Sequence, residues 1–110
     1  IDNSITRAAQ SRVHEAHPEL ALARLNGGTP LPCKHTPEGI ALRRRLLERE
    51  GFTRLRRWLG ELRGSGAKAD DLLDACALAL TARHLLLGTA VVLPAKVERD
   101  ARGLRMSIAY

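Results

Sequence analysis

The chain has 110 residues, of which 45% are hydrophobic and 27% are charged, and its formal net charge is +6. This balance excludes a disordered chain and suits one globular domain or a large piece of one. The longest apolar stretch, residues 72–93, contains Asp74, Arg83 and His84, which argues against a transmembrane helix. Two cysteines without a Cys-x-x-Cys spacing exclude a disulfide framework. We therefore expect a cytoplasmic protein with no membrane partner.

Four segments have the start and stop signals of helices, namely residues 18–26, 36–51, 53–63 and 70–87. Pro18 suits a first helical position, and Thr36 suits an N-cap because its hydroxyl can accept from a free backbone N–H. Gly88 suits a left-handed C-terminal stop. The last helix is apolar around nearly its whole circumference, so we expect it to be the most buried helix.

The apolar spacing of the two central helices predicts which side chains are buried. In the second helix these are Ile40, Leu42, Leu46 and Leu47, which would leave Arg43, Arg44, Arg45 and Arg49 largely outside. In the third helix they are Leu55, Trp58, Leu59 and Leu62. Short strands are predicted at residues 11–16 and 91–93 and in the alternating tail 104–110.

Most of the positive charge is concentrated in residues 43–57, which contain seven arginines against Glu48 and Glu50. Such a segment can contact the phosphates of a nucleic acid, or it can be an ordinary solvated helix face. An arginine-rich composition encoded by a GC-rich genome would also produce it. The sequence leaves these readings open.

Asp71 and Asp74 lie three residues apart at the start of the last predicted helix, so both project from one face. A divalent cation would relieve their mutual repulsion. Asp70 and Asp71 also have a structural explanation, because carboxylates cap a helix N-terminus. A zinc site formed by Cys33, His14, His17 and His35 fits no standard spacing.

Four dispersed motifs, in this order and at these distances, resemble domain-of-unknown-function family 429: residues 15–19 (Glu-Ala-His-Pro-Glu), 36–39 (Thr-Pro-Glu-Gly), 70–75 (Asp-Asp-Leu-Leu-Asp-Ala) and 103–106 (Gly-Leu-Arg-Met). That family is described as predicted nucleases of RNase H-like fold. The resemblance implies an α/β fold in which this chain, residues 1–110, is the C-terminal part of a single RNase H-like domain. It would then consist mainly of helices with a few short strands.

The resemblance also implies a site. Glu15, Asp71 and Asp74 match the acidic positions that hold Mg²⁺ or Mn²⁺ in the superfamily, and Lys34 matches a basic position that could contact a phosphate, although a free surface lysine is the simpler reading. The glycine-flanked aspartate of the family's first strand has no counterpart here. We therefore expect a metal-dependent nuclease that is inactive as this chain alone. Its partners would be a nucleic acid and either the missing N-terminal segment or another copy of the chain in a homo-oligomer. The alternative is a non-catalytic module that binds nucleic acid or protein.

Overall fold

The computed structural model describes residues 15–93 and 108–110. These contain four helices and two short strands: α1 (Pro18–Leu25), α2 (Pro37–Arg49), α3 (Leu55–Glu61), α4 (Ala69–Leu87), β1 (Val92–Leu93) and β2 (Ile108–Ala109). The expected predominance of helices is confirmed, and all four predicted helices form. The RNase H-like arrangement stays a prediction.

The helix boundaries follow local chemistry. Pro18 opens α1, and the hydroxyl of Thr36 accepts a hydrogen bond from the backbone N–H of Gly39 at the start of α2. Gly88 ends α4 with φ of 74°, a left-handed conformation that glycine adopts without a steric penalty. These three signals were correctly predicted from the sequence.

The small sheet joins the two ends of the described chain. β1 and β2 are antiparallel, with Val92 opposite Ala109 and Leu93 opposite Ile108. Ala16 forms a parallel bridge to Ala109 on the other side of β2. Of the predicted strand at residues 11–16, residues 11–14 lie outside the described residues, and so does most of the tail segment 104–110.

The core lies between α1, α2 and α4, with one residue of α3 closing it. Its buried members are Ala21, Leu22, Leu47, Leu55, Leu73, Cys76 and Ala77. One face of α4 lies in this core, whereas Leu78, Leu86 and Leu87 on the same helix are exposed. Among the described helices α4 contributes the largest number of buried residues, as expected, but it is buried on one face only. No helix in the described ranges is long and apolar enough to cross a membrane.

Three burial predictions were wrong. Arg44 is not largely outside, because only 17% of its side chain is exposed. Arg43 is not outside, because only 3% of its surface is exposed. Trp58 is not in the core, because 38% of its surface is exposed. Leu55, Leu59 and Leu62 follow each other at four and three residues and form the inward face of α3, which places Trp58 at the edge of that face.

Candidate functional site

A lysine and two aspartates from distant parts of the sequence meet at the start of α4. The Nζ atom of Lys34 lies 3.4 Å from Oδ2 of Asp74 and 3.7 Å from Oδ2 of Asp70. Asp70 and Asp74 are four residues apart, so they occupy the same face of α4. Their side chains are only 15% and 27% exposed. Two of the predicted site residues, Lys34 and Asp74, are thus brought together across 40 positions of sequence.

Asp71 has a different position. Its side chain accepts a hydrogen bond from the backbone N–H of Lys68, with 3.0 Å between donor and acceptor, and the residue is exposed. A carboxylate in the third helical position that reaches back to the N-cap backbone is a capping arrangement. The structure therefore pairs Asp74 with Asp70, whereas the sequence predicted a pair of Asp74 with Asp71.

The charges of this acidic cluster, formed by Lys34, Asp70 and Asp74, do not cancel. Asp74, and to a smaller extent Asp70, raise the pKa of Lys34 above its ordinary value because their negative charges favour the ammonium form. One cation faces two carboxylates, so the cluster keeps an excess negative charge when all three groups are ionised. A second cation would be attracted to it.

The loop that carries Lys34 is held by the buried guanidinium of Arg43. Its Nη1 donates to the carbonyl oxygen of Pro32 at 2.7 Å, and its Nη2 donates to both carboxylate oxygens of Glu19 at 3.0 Å. A further bond runs from Nη1 to the Gly39 carbonyl at 3.0 Å. Arg43 thereby links α1, α2 and the loop before α2, which fixes the backbone two residues from Lys34.

Close packing at Gly39 reinforces this loop. A methyl group at Gly39 would overlap the carbonyl oxygen of Cys33 and would approach Nη1 of Arg43. The same carbonyl accepts hydrogen bonds from the hydroxyl of Thr36 at 2.7 Å and from its backbone N–H at 3.1 Å. The residue before Lys34 is thus fixed from several directions, so the position of Lys34 is defined by the fold.

An open cavity of about 350 Å³ adjoins Lys34. Its apolar walls come from Leu20 and Ala23 of α1 and from residues 30–32, and its polar rim includes Lys34 and the paired Glu19. The cluster therefore has free space beside it on the loop side.

Glu15 lies away from this centre in the small sheet. Its carbonyl oxygen accepts from the backbone N–H of Ala109 at 3.0 Å, and its exposed carboxylate has Nε2 of His17 at 3.9 Å. Within residues 15–93 and 108–110, no three His, Cys, Asp or Glu side chains are grouped closely enough to hold a metal ion. The structure therefore does not bring Glu15 together with Asp71 and Asp74, and it does not assemble the zinc alternative from its described members.

Sequence reasoning missed two residues of this centre. Asp70 was assigned to capping, although its spacing of four from Asp74 is the better indication of a shared helix face. Arg43 was assigned to the surface. Its spacing from the buried Gly39, Leu46 and Leu47 could have identified it, because the four positions form one helical stripe.

Comparison with models of protein families identifies the family to which this chain belongs. The model of the family described as "Protein of unknown function (DUF429)" matches residues 1–99. The chain belongs to this family. No curated protein and no solved structure matches it. The family was thus identified correctly, and three of the four motifs lie within the matched residues, whereas the motif at residues 103–106 lies beyond them. Nuclease activity and a cytoplasmic location stay predictions.

Proposed function

We propose that this protein is part of a metal-dependent nuclease, with Asp70, Asp74 and Lys34 as the portion of the active site that this chain contributes. The observation that carries the proposal is the convergence of two partly buried carboxylates and one lysine around a single point, next to an open cavity. Asp70 in the first turn of α4 also favours the helix dipole, but Asp74 lies beyond that turn, and one carboxylate would be enough to pair with Lys34.

The donor set suits Mg²⁺ or Mn²⁺. Magnesium is commonly bound through one or two protein carboxylates, with water and substrate phosphate completing its coordination. Asp70 and Asp74 supply two carboxylates, and the excess negative charge of the cluster favours a divalent cation. A metal bound here would lower the pKa of a coordinated water and stabilise negative charge on a phosphodiester.

In this proposal Lys34 binds the substrate. Its ammonium group lies within 4 Å of both aspartates, and Lys34 also lines the cavity. If Asp70 and Asp74 held a metal, Lys34 would be available to donate to a phosphate oxygen of the substrate. The hydrogen bonds of Arg43 and Thr36 keep it at the cavity rim.

The remaining ligands of the metal ion would come from residues outside the described ranges, or from described residues after a rearrangement. We propose that this chain is the C-terminal part of an RNase H-like domain, in which an N-terminal segment or another copy of the chain supplies a further carboxylate. Glu15, the third ligand predicted from the sequence, would join the site only through such a rearrangement, because the structure does not group it with Asp70 and Asp74. The exposed side chains of Leu86 (87%) and Leu87 (66%) at the end of α4 are candidates for contact with that partner.

A second candidate function has its own support. Four arginines of α2 and α3 are exposed, so the protein could bind a nucleic acid without cleaving it. A module of this kind would bind in a salt-sensitive manner and would not respond to Mn²⁺.

The two candidates are separated by measuring thermal unfolding and nuclease activity with and without Mn²⁺ on the full-length protein. We expect Mn²⁺ to raise the melting temperature of the wild type, since a ligand at 100 times its Kd stabilises by about 2.7 kcal/mol. Asp70→Asn and Asp74→Asn should abolish both that shift and cleavage, because the amide keeps the shape and loses the charge.

Asp71→Asn is the matched control, because it also removes one carboxylate charge from the start of α4 while the amide oxygen can still accept from the Lys68 N–H. It should keep both the shift and the activity. If Asp71→Asn and Asp74→Asn lose them while Asp70→Asn does not, the pair predicted from sequence is the metal site. If all three variants respond to Mn²⁺ as the wild type does, the metal site proposed here is wrong.

A further inference from the structure

The arginines of the central segment separate into two groups in the structure. Arg43, Arg44 and Arg57 pair with Glu19, Glu48 and Glu61 respectively. The other group is exposed and has no acidic partner anywhere in residues 15–93 and 108–110. It consists of Arg45, Arg49, Arg54 and Arg56. We call these four residues the arginine group.

The members of the arginine group follow one another along the chain, from the last turns of α2 to the start of α3. Arg45 and Arg49 are four residues apart on α2, so they share a helix face, and both line the same surface depression. Arg54 and Arg56 follow directly, at the start of α3, after a turn in which the N–H of Phe52 donates to the Leu47 carbonyl at 3.3 Å. This turn folds the start of α3 back against the end of α2.

The positions of these arginines are unfavourable for the stability of the helices. Like charges four residues apart on a helix repel, which applies to Arg45 and Arg49. Positive charge near a helix N-terminus opposes the helix dipole, which applies to Arg54 and Arg56, and the first turn of α3 has no acidic residue to compensate. Arg49 alone gains from its place in the last turn of α2. Because these positions are unfavourable for the stability of the helices, they favour a role of the arginines in binding an anion.

Trp58 adds an exposed aromatic ring to the same stretch of chain, with 38% of its surface exposed. Its backbone N–H donates to the carbonyl of Arg54, the N-cap of α3, at 3.0 Å, so Arg54 lies one turn before it, whereas Arg56 projects from another side of the helix. Exposed aromatic rings beside arginines are the elements with which proteins bind single strands, since bases stack on the ring and phosphates pair with the guanidinium groups. Duplex DNA, whose bases are already stacked, would leave Trp58 unused.

We propose that the arginine group and Trp58 form a binding surface for single-stranded nucleic acid. The surface lies towards the C-terminal end of α2, whereas the acidic cluster lies near its N-terminal end, and the helix is about 20 Å long at 1.5 Å per residue. A strand bound at the arginine group could extend along α2 to Lys34. The inference deepens the nuclease proposal by naming the form of its substrate, yet binding does not depend on cleavage.

The test is a binding titration of the full-length protein, without divalent metal, against a fluorescently labelled oligothymidylate and a duplex of equal length. Trp58 is the single tryptophan of these 110 residues, so the part of the fluorescence that is lost in Trp58→Phe reports on this surface. We expect the single strand to quench Trp58 and to bind more tightly than the duplex. The affinity should fall with salt, with a slope near −3 if all four arginines contact phosphates, at about −0.7 per contact.

Matched variants test the assignment. Arg49→Gln and Arg83→Gln remove one positive charge each, and Arg83 pairs with Glu50 instead of belonging to the arginine group. We expect Arg49→Gln to weaken binding and to reduce the salt slope by about 0.7, whereas Arg83→Gln leaves both unchanged. Trp58→Ala should weaken binding about fivefold or more, measured by oligonucleotide anisotropy, and Trp58→Phe should restore much of it because phenylalanine also stacks.

Equal losses in Arg49→Gln and Arg83→Gln would mean that only net charge matters, and preferred duplex binding without quenching of Trp58 would overturn the single-strand assignment. The Asp74→Asn variant separates this inference from the proposed function. If the oligonucleotide binds as expected but neither the wild type nor this variant cleaves it, the nuclease proposal fails and the binding surface stands. If the wild type cleaves the oligonucleotide and changes in the arginine group leave that cleavage unaffected, the nuclease proposal stands and the binding surface fails.

Discussion

Replacement of Arg43 by methionine should destabilise the protein strongly, because a methionine of similar length fills the space but donates no hydrogen bonds. The variant leaves the carbonyls of Pro32 and Gly39 without their guanidinium donor. It also leaves the carboxylate of Glu19 without its partner.

The expected cost can be estimated from these three acceptors. The Pro32 carbonyl loses its donor, which costs about 1–3 kcal/mol for a buried acceptor, and we take about 1 kcal/mol because water can reach part of the loop. The Gly39 carbonyl keeps the helical N–H of residue 43 as a donor, so we take only about 0.5 kcal/mol for the loss of its second bond. Loss of one member of a buried ion pair costs about 3–5 kcal/mol, but the side chain of Glu19 is 47% exposed and regains water, so we take about 1 kcal/mol for it. The free energy of unfolding should therefore fall by about 2.5 kcal/mol, which lowers the Tm of a domain of this size by about 10 °C or more.

Urea unfolding followed by circular dichroism, with Arg45→Met as the control, measures this effect. Arg45 is exposed on the same helix, so its replacement should change the free energy of unfolding by less than about 0.5 kcal/mol. Glu19→Gln should fall between the two, since the amide oxygen still accepts one bond. If Arg43→Met unfolds within about 0.5 kcal/mol of the wild type, the buried guanidinium does not hold the loop.

Two further predictions concern the loop and its lysine. Gly39→Ala should destabilise the protein by about 1–3 kcal/mol, because its methyl group overlaps the Cys33 carbonyl. Gly60 in α3 has open space around it, so Gly60→Ala should stabilise the protein by up to about 1 kcal/mol. The same urea experiment compares the two variants. The pKa of Lys34 is raised by Asp74 first and Asp70 second, so the stabilisation from this contact is complete below the unfolded pKa of 10.5 and is lost as the pH rises through the folded pKa. In an NMR titration, Asp74→Asn should move the pKa of Lys34 down towards 10.5, and an unchanged value would mean that the contact is absent in solution.

Local signals predicted the helices of this protein well because the chemistry that starts and stops them lies within a few residues. Thr36 caps α2 through a bond to a residue three positions away, and Gly88 ends α4 through its own backbone conformation. The pairing of Lys34 with Asp74 spans 40 residues, and no periodicity in the sequence encodes it. The motifs therefore identified candidate residues, whereas their grouping depended on how the loop before α2 packs on α4.

Arg43 shows that residue type alone can give a wrong prediction of burial, whereas the position of the residue on the helix gives the right one. Three consecutive arginines occupy residues 43–45, and hydrophobicity alone places all of them in solvent. The buried face of α2 consists of Gly39, Arg43, Leu46 and Leu47, which have the spacing of one helix face. The first arginine of the run is therefore buried because of its position on the helix. Burial of a charge requires a partner, and Glu19 on α1 provides it. Arg45, two residues later, points away from that face and is left exposed with the rest of the arginine group, so helical position alone divides one charge run into a structural residue and a candidate binding residue.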